Sequence, residues 1–376
     1  MRKDKSQQKS TPNSQSWLEE LPKHFREEAT KELRSLESEK AKTTANLKAE
    51  TLKRKQAEAE LAATKINLDL VMETQGKVRA KALSSMSKAA KRGSRGKATA
   101  VIIASDHHLG EIIESDQVNG LNEFNLKVAE ARLRRLWDRS AFLIDFARNI
   151  SDIEEVAMFF LGDFCSGIIH PELEQTNEIG VSEQIILVQE SLATGVSHVR
   201  KETKLPIRVF CNSGNHGRAG HDRYIKAEYA HSLEAIAYRN VAKQFEKEPW
   251  VSFQIAKGYF NLCEIQGRLI RAHHGHALKY QGGILGPVVP ISKKIASWNV
   301  ATRPAWNDLA GHIHTRMSHP RFEQVGCLCG YSEFAIRCGI PYEAPSQTML
   351  VVDRKWGKVA SLPIFLEDTP LVPEAY

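Results

Sequence analysis

Cysteine is scarce in this chain. Six cysteines in 376 residues cannot staple a fold, and only Cys327 and Cys329 lie close together, in a C-x-C spacing that no second pair completes. That excludes a disulfide scaffold and a zinc ribbon; reduced thiols in a cytoplasmic protein are the expectation. Long apolar runs are missing as well. No stretch approaches the ~18 uninterrupted apolar residues of a membrane span, and the opening MRKDKSQQKS carries no apolar h-region. Neither a membrane partner nor a signal peptide is therefore predicted. Glycine is absent from about Pro22 to Gln75, and proline is absent there beyond the first turn. A segment of strong helix formers without either breaker reads as one long helix.

Charge is unevenly spread. Residues 1–99 hold 23 Lys/Arg against 13 Asp/Glu, an excess of +10, while the remainder sums to −3. The first fifteen residues are polar and read as disordered. Ser16-Trp17-Leu18-Glu19 fits a capping box ahead of the helix. Leu33, Leu47, Leu61 and Leu68 fall on a seven-residue ladder, but Lys40 and Arg54 occupy its other rungs. Self-association through a coiled coil is thus weakly specified and competes with a solvated charged helix. Lys77 to Lys97 holds eight basic residues and no acid, among them Lys88, Lys91, Arg92, Arg95 and Lys97. Such a run suits nucleic-acid phosphates. It has no interleaved aromatics, so base stacking is not implied.

From Ala98 the pattern changes, which places a domain boundary between residues 1–97 and 98–376. Apolar β-branched runs at Ala98–Ala104, Val156–Leu161 and Ile207–Cys211 alternate with helical periodicity near Asn122–Asn149, Ser182–Lys201 and Tyr224–Lys247. This alternation predicts an α/β layered domain with a partly parallel sheet. Beyond Pro249 short strands dominate: Val251–Ala256, Tyr259–Ile265, Leu269–Ala272, Leu309–Ala310, Arg321–Val325, Thr348–Val352 and Lys358–Phe365. Gly282 to Trp298, interrupted by Pro287 and Pro290, is ambiguous.

The chemistry gathers where apolar runs end. Asp106-His107-His108, Gly162-Asp163, Gly214-Asn215-His216, His273-His274-Gly275-His276 and Gly311-His312-Ile313-His314 each follow such a run, and they hold eight of the fourteen histidines. Loops at the carboxyl ends of parallel strands can converge on one site. Carboxylate, amide oxygen and imidazole are what hard-to-borderline divalent cations take, and no thiolate belongs to this set. In Asp106-His107-His108 strand alternation puts positions i and i+2 on one side, which favours His108 over His107. Cys165 reads as a packing thiol, and Cys327 and Cys329 as strand residues packing on opposite faces.

The order D-x-H, G-D, G-N-H, H-G, G-H-x-H, spanning about residues 98–366, resembles the calcineurin-like metallophosphoesterase family. The resemblance implies a four-layer β-sandwich flanked by helices, here preceded by a long N-terminal helix, with two divalent metal ions at one edge. Mn2+ is the first expectation, with Fe or Zn as the others. Carried over by residue, Asp106, His108 and His314 would hold the first metal and Asp163 would bridge both. Asn215, His274 and His312 would hold the second. His216 would face the phosphate, and a metal-bridging hydroxide would attack phosphorus in line. Here Gly217-Arg218 follows G-N-H in place of the frequent acidic residue, so Arg218 is expected to clamp a phosphate oxygen. That feature, with Gly330–Ala335 and Pro345-Ser346-Gln347, looks like a phage-associated subgroup. The leading expectation is hydrolysis of phosphodiester bonds in nucleic acid. The alternatives are an enzyme of small phosphate compounds and a nucleic-acid-binding adaptor with a vestigial metal site.

Overall fold

The computed structural model describes residues 22–76, 95–223, 226–278 and 286–368. The chain divides into two units, Met1–Gly93 and Ser94–Tyr376. Helix α1 (Lys23–Gly76) runs unbroken for 54 residues. It begins where Pro22 can offer a carbonyl, to the amides of Phe25 and Arg26, without needing to donate. Of the leucine ladder, Leu47 and Leu61 are exposed on the single chain. The capping box at Ser16–Glu19 lies outside the described residues.

In the second unit, strand β1 (Lys97–Ala104) is followed by α2 (Leu126–Ala147), β2 (Asp152–Phe160), the short α3 (Leu173–Thr176) and α4 (Val181–Thr203). Then come β3 (Ile207–Cys211), α5 (Leu233–Gln244), β4 (Val251–Ile255), β5 (Asn261–Ile265), β6 (Arg268–Ala272) and α6 (Val288–Ala301). The chain closes with β7 (Asn307–Ala310), β8 (Met317–His319), β9 (Phe322–Gln324), α7 (Glu333–Cys338), β10 (Ser346–Asp353) and β11 (Gly357–Phe365). One sheet has the order β11-β10-β1-β2-β3-β4 and the other β5-β6-β7-β9-β8. Strands β1 to β4 run parallel, and β10 returns antiparallel beside β1. In the second sheet β6, β7 and β9 are parallel.

Strand alternation sets the layers. Ala98, Ala100, Ile102 and Ala104 of β1 face a core shared with Leu136 and Trp137 of α2, Val188 and Leu192 of α4, and Tyr238 of α5. Val101 and Ile103 face the other way, onto Ile265, Ile270, Ala272 and Leu309 of the second sheet. Beyond that sheet, Phe322 and Ala310 pack on Ile291 and Ile295 of α6. The result is helix, sheet, sheet, helix: the mixed α/β four-layer arrangement expected, with a long helix in the preceding unit.

Several elements differ from the sequence reading for local reasons. Helix α2 starts at Leu126 because the Asn125 side chain accepts the Val128 amide at 3.0 Å and caps it. The ambiguous segment after Gly282 contains α6, whose Pro290 falls in the first turn, where an amide has no intrahelical partner to lose. Val251–Ile255 belongs to the first sheet, parallel to β3, so the change of pattern after Pro249 precedes the change of sheet. The six-residue α7, capped by Ser332 and ended by Gly339 at φ +65°, is too short to show periodicity. Cys327 and Cys329 are not strand residues; they lie on the buried loop after β9. Among the described residues no helix is long and apolar enough to cross a membrane.

Candidate metal centre

Five loops meet at the carboxyl ends of β1, β2, β3, β6 and β7, and backbone bonds knit them together. The Asp106 amide donates to the Gly162 carbonyl at 3.0 Å, the His108 amide to the Asp163 carbonyl at 3.0 Å, and the Gly311 amide to the His274 carbonyl at 2.7 Å. The two carboxylates extend this lattice. Asp163 Oδ1 accepts the His216 amide at 2.7 Å, and Asp106 Oδ2 accepts the His312 amide at 2.8 Å. Each acid therefore positions the loop that carries the next candidate ligand. The loops also touch too closely for a side chain: a Cβ on Gly214 would stand 2.0 Å from Asp163 Oδ1, and one on Gly311 would stand 2.1 Å from Ser105 Oγ.

This convergence strains the backbone. Asp106, His108, Asp163, His312 and His314 all have positive φ, between 50° and 75°. Left-handed backbone is costly for residues with a Cβ and persists where the surroundings over-determine it, characteristically at functional sites.

The side chains form two clusters. In the first, His108 Nε2 lies 3.2 Å from His314 Nε2, and Asp106 Oδ1 lies 4.0 Å and 3.4 Å from those two nitrogens. In the second, His274 Nε2 lies 2.8 Å from Asp163 Oδ2 and 3.2 Å from His312 Nδ1. Asp163 belongs to both sides, since one of its oxygens also groups with ring nitrogens of His108 and His216 within 4.8 Å. Ligands each ~2.0–2.3 Å from one ion sit about 3–4 Å apart, and these spacings match. Asp106 Oδ1 and Asn215 Oδ1 are buried without a hydrogen-bond partner. Lone pairs left bare in this way fit a cation. Of the seven residues expected as metal ligands, His108, Asp163, His274, His312 and His314 fall in groups that could hold a metal ion, Asp106 lies 3.4 Å from the His314 ring, and Asn215 offers an unpartnered oxygen.

The electrostatics point the same way. Burial alone would raise the carboxyls of Asp106 and Asp163; the adjacent His314, His274 and His216 rings overcome it and hold both well below the usual carboxylate range. Burial pushes the His274 ring down, but the Asp163 carboxylate outweighs it and raises the ring to about 9. A potential that draws a proton onto a buried imidazole draws a metal cation to the same lone pair. Desolvation, with the His274 charge beside it, pushes the half-buried His312 ring down to about 3.

His216 Nδ1 donates to the Ser166 carbonyl at 2.6 Å, which turns Nε2 toward the site. Burial lowers this ring, favouring the neutral form. Arg218, 8% exposed, donates from Nε to the Asn215 carbonyl at 3.0 Å and from Nη1 to the Asp222 carbonyl at 3.4 Å. Its placement braces the Asn215 loop. His107 is buried against Phe164, outside both clusters, and His273 packs on Trp298 beside Asp308.

Of the expected nucleic-acid residues, Lys88, Lys91 and Arg92 lie outside the described residues. Arg95 donates to the Arg148 carbonyl, and Lys97 pairs with Glu154. Lys97 opens β1 and Ala104 closes it, so ~23 Å of strand separates this end from the site.

Three further groups near the candidate ligands were not assigned a role from the sequence, although Gln347 belongs to the Pro345-Ser346-Gln347 motif. Glu234 Oε1 and Oε2 accept the amides of Phe164 at 2.6 Å and Gly214 at 2.8 Å. Gln347 Oε1 accepts the Ser105 amide at 2.7 Å. Glu111 Oε2 stands 3.4 Å from His108 Nδ1, and burial raises its carboxyl to about 7. A thiol was missed too: Cys329 Sγ and ring nitrogens of His108 and His314 lie within 4.8 Å of one another. The alternating C-x-C spacing gave no hint of it.

No family model matches this chain, and no curated protein does. Solved structures that it is similar to include a novel archaeal phosphodiesterase, at 12% identity over 70% of this chain and 99% of that one, with a TM-score of 0.31. Zinc-bound Vps29 of Entamoeba histolytica matches at 12% identity over 71% and 99%, with a TM-score of 0.27. A dimetal phosphatase from Danio rerio matches at 10% identity over 72% and 99%, with a TM-score of 0.31.

Proposed function

We propose that this chain is a dinuclear metal-dependent phosphoesterase that hydrolyses phosphodiester bonds, with nucleic acid as its substrate. The observation that carries the reading is the sharing of Asp163 between two imidazole clusters whose internal spacings of 2.8–4.0 Å suit two ions. In this reading Asp106, His108 and His314 hold one cation, Asn215, His274 and His312 the other, and Asp163 both. When bound, the pair would supply an activated water and positive charge for the phosphoryl oxygens. The protein's own part is to aim. Ser166 holds the His216 ring so that Nε2 faces the reacting group, to bond a phosphoryl oxygen or pass a proton to the leaving oxygen. Arg218 keeps the Asn215 loop in place, and a phosphate clamp by this side chain would use the N–H groups its two backbone bonds leave. Asp106, Asp163 and His274 form a buried floor, while Asn215, His216, His312 and His314 form a half-buried rim open to a substrate. The preference for nucleic acid rests on the basic run of residues 77–97.

Purified protein with Mn2+ should hydrolyse bis-p-nitrophenyl phosphate, and Asp163→Ala should abolish turnover. Equal rates for the variant would remove the mechanism. Single-stranded DNA, duplex DNA, RNA and a nucleotide panel then separate substrates: fast turnover of one nucleotide with the polymers untouched would replace nucleic acid by a small phosphoester.

A further inference from the structure

The loop that carries Cys327 and Cys329 is built into the site rather than laid over it. The Leu328 amide donates to the Asp106 carbonyl at 3.0 Å, tying the loop to a candidate ligand. Arg132, itself paired with Glu367, donates from Nη1 to the carbonyls of Leu328 at 2.9 Å and Cys329 at 2.8 Å. Asn122 Nδ2 adds a bond to the Cys329 carbonyl at 2.9 Å. Every anchor grips backbone, so the thiols are placed and left free to face inward. Cys329 is fully buried, and its Sγ makes a long contact, 3.8 Å, to the Gly330 carbonyl. It lies within 4.8 Å of ring nitrogens of both His108 and His314. Facing the same two rings is Asp106 Oδ1, buried and without a hydrogen-bond partner.

We propose that Cys329 supplies a thiolate to the cation held by Asp106, His108 and His314, making this a mixed oxygen, nitrogen and sulfur site. The inference rests on the metal-pair reading above. Binding replaces the thiol proton by the cation and releases that proton to solvent. The second site, built on Asp163, Asn215, His274 and His312, keeps oxygen and nitrogen only. The two positions therefore differ in softness. The thiolate favours Zn2+, Co2+ or Fe2+ over Mn2+ at the first, and nothing at the second opposes Mn2+. Cys327 donates to the Gly330 carbonyl at 3.5 Å and, among the described residues, falls in none of the groups that could hold a metal ion. It packs against the ligand rather than acting as one.

Cobalt tests this without reference to turnover. The full chain loaded with Co2+ should show visible ligand-field bands and a near-ultraviolet sulfur-to-cobalt charge-transfer band. Cys329→Ser should lose the charge-transfer band and keep the ligand-field bands; Cys327→Ser should keep both. Zn2+ affinity at this position should fall at least about tenfold in Cys329→Ser, with Mn2+ affinity little changed. Ligand-field bands without charge transfer in the wild type would overturn the thiolate and leave the metal pair standing. So would a charge-transfer band lost in Cys327→Ser and kept in Cys329→Ser. Failure of the wild type to bind cobalt would overturn both inferences together. The wild-type spectrum decides the matter even where Cys329→Ser does not fold.

Discussion

The buried carboxylate of Glu234 accepts the Gly214 amide at 2.8 Å. Its other oxygen accepts the Phe164 amide at 2.6 Å. One side chain on α5 thus ties the loop after β2, which carries Asp163, to the loop after β3, which carries Asn215 and His216. Two of the residues proposed for the metals take their relative position from a group that touches neither metal nor substrate. Glu234→Gln puts an amide donor where one of those N–H groups points and should separate the loops. We expect kcat and metal affinity to fall about ten- to a hundredfold, the range seen when an outer carboxylate of a metal site is lost. KM should change little. Measuring kcat, KM and metal affinity together checks this, and an unchanged kcat would assign Glu234 to folding alone.

How much of this was visible beforehand depends on the type of residue. The candidate ligands were legible because each ends an apolar run with a residue type that has few other reasons to be there. The core of β1 was legible from its β-branched run, and the layers from the strand–helix alternation. Glu234 was not, because it sits in a helical pattern where a Glu reads as surface. Cys329 was not, because a loop that takes its conformation from Arg132 and Asn122, some two hundred residues earlier, has no local period. The division between sheets was also hidden. β4 joins the first sheet and β5 the second, yet both read as short strands after Pro249.

Metal binding should be visible as stability. His108 Nε2 and His314 Nε2 face each other at 3.2 Å, a spacing that suits two ring nitrogens on one shared cation. Saturating Zn2+ or Mn2+ should raise the melting temperature of chelator-treated protein, with about 2.7 kcal/mol expected at a hundredfold excess over Kd. Asp163→Asn should lose most of that shift, because it weakens both positions at once. Thermal scans of the two proteins with and without metal decide it. An equal shift in the variant would mean that the cation binds elsewhere.

Gly311 should tolerate no side chain. A Cβ there would meet Ser105 Oγ at 2.1 Å and Asp106 Oδ2 at 2.5 Å. Ser105 cannot yield easily, since its amide is held by Gln347 and its hydroxyl donates to the Gly162 carbonyl at 3.1 Å. Gly311→Ala should destabilise the protein by about 1–3 kcal/mol through overpacking. It should also weaken metal binding, because the pressure falls on Asp106. Gly220→Ala, whose Cβ would meet nothing within 4 Å, is the matched control. Urea midpoints of the two variants should differ clearly.

His107 gives the pH dependence a separable source. It is fully buried, with both ring nitrogens lacking a partner, and its ring meets the Phe164 ring edge-on at 4.4 Å. Burial pushes it down to about 3, against the nearby Asp106 charge that pulls it up. In the unfolded chain the same ring titrates near ~6.5. Between these values the unfolded state takes up a proton that the folded state refuses, so stability falls as the pH drops through this window. The limiting slope is about 1.4 kcal/mol per pH unit. His107→Phe removes the titrating group without costing a hydrogen bond. Its stability should therefore fall less steeply than the wild type's between about pH 6.5 and pH 4. Urea unfolding of both proteins, stripped of metal, measures the difference. Protonation of the ligand histidines and carboxylates acts on both proteins alike and cancels, so parallel pH profiles would show that the ring at position 107 is charged or solvated in the folded state.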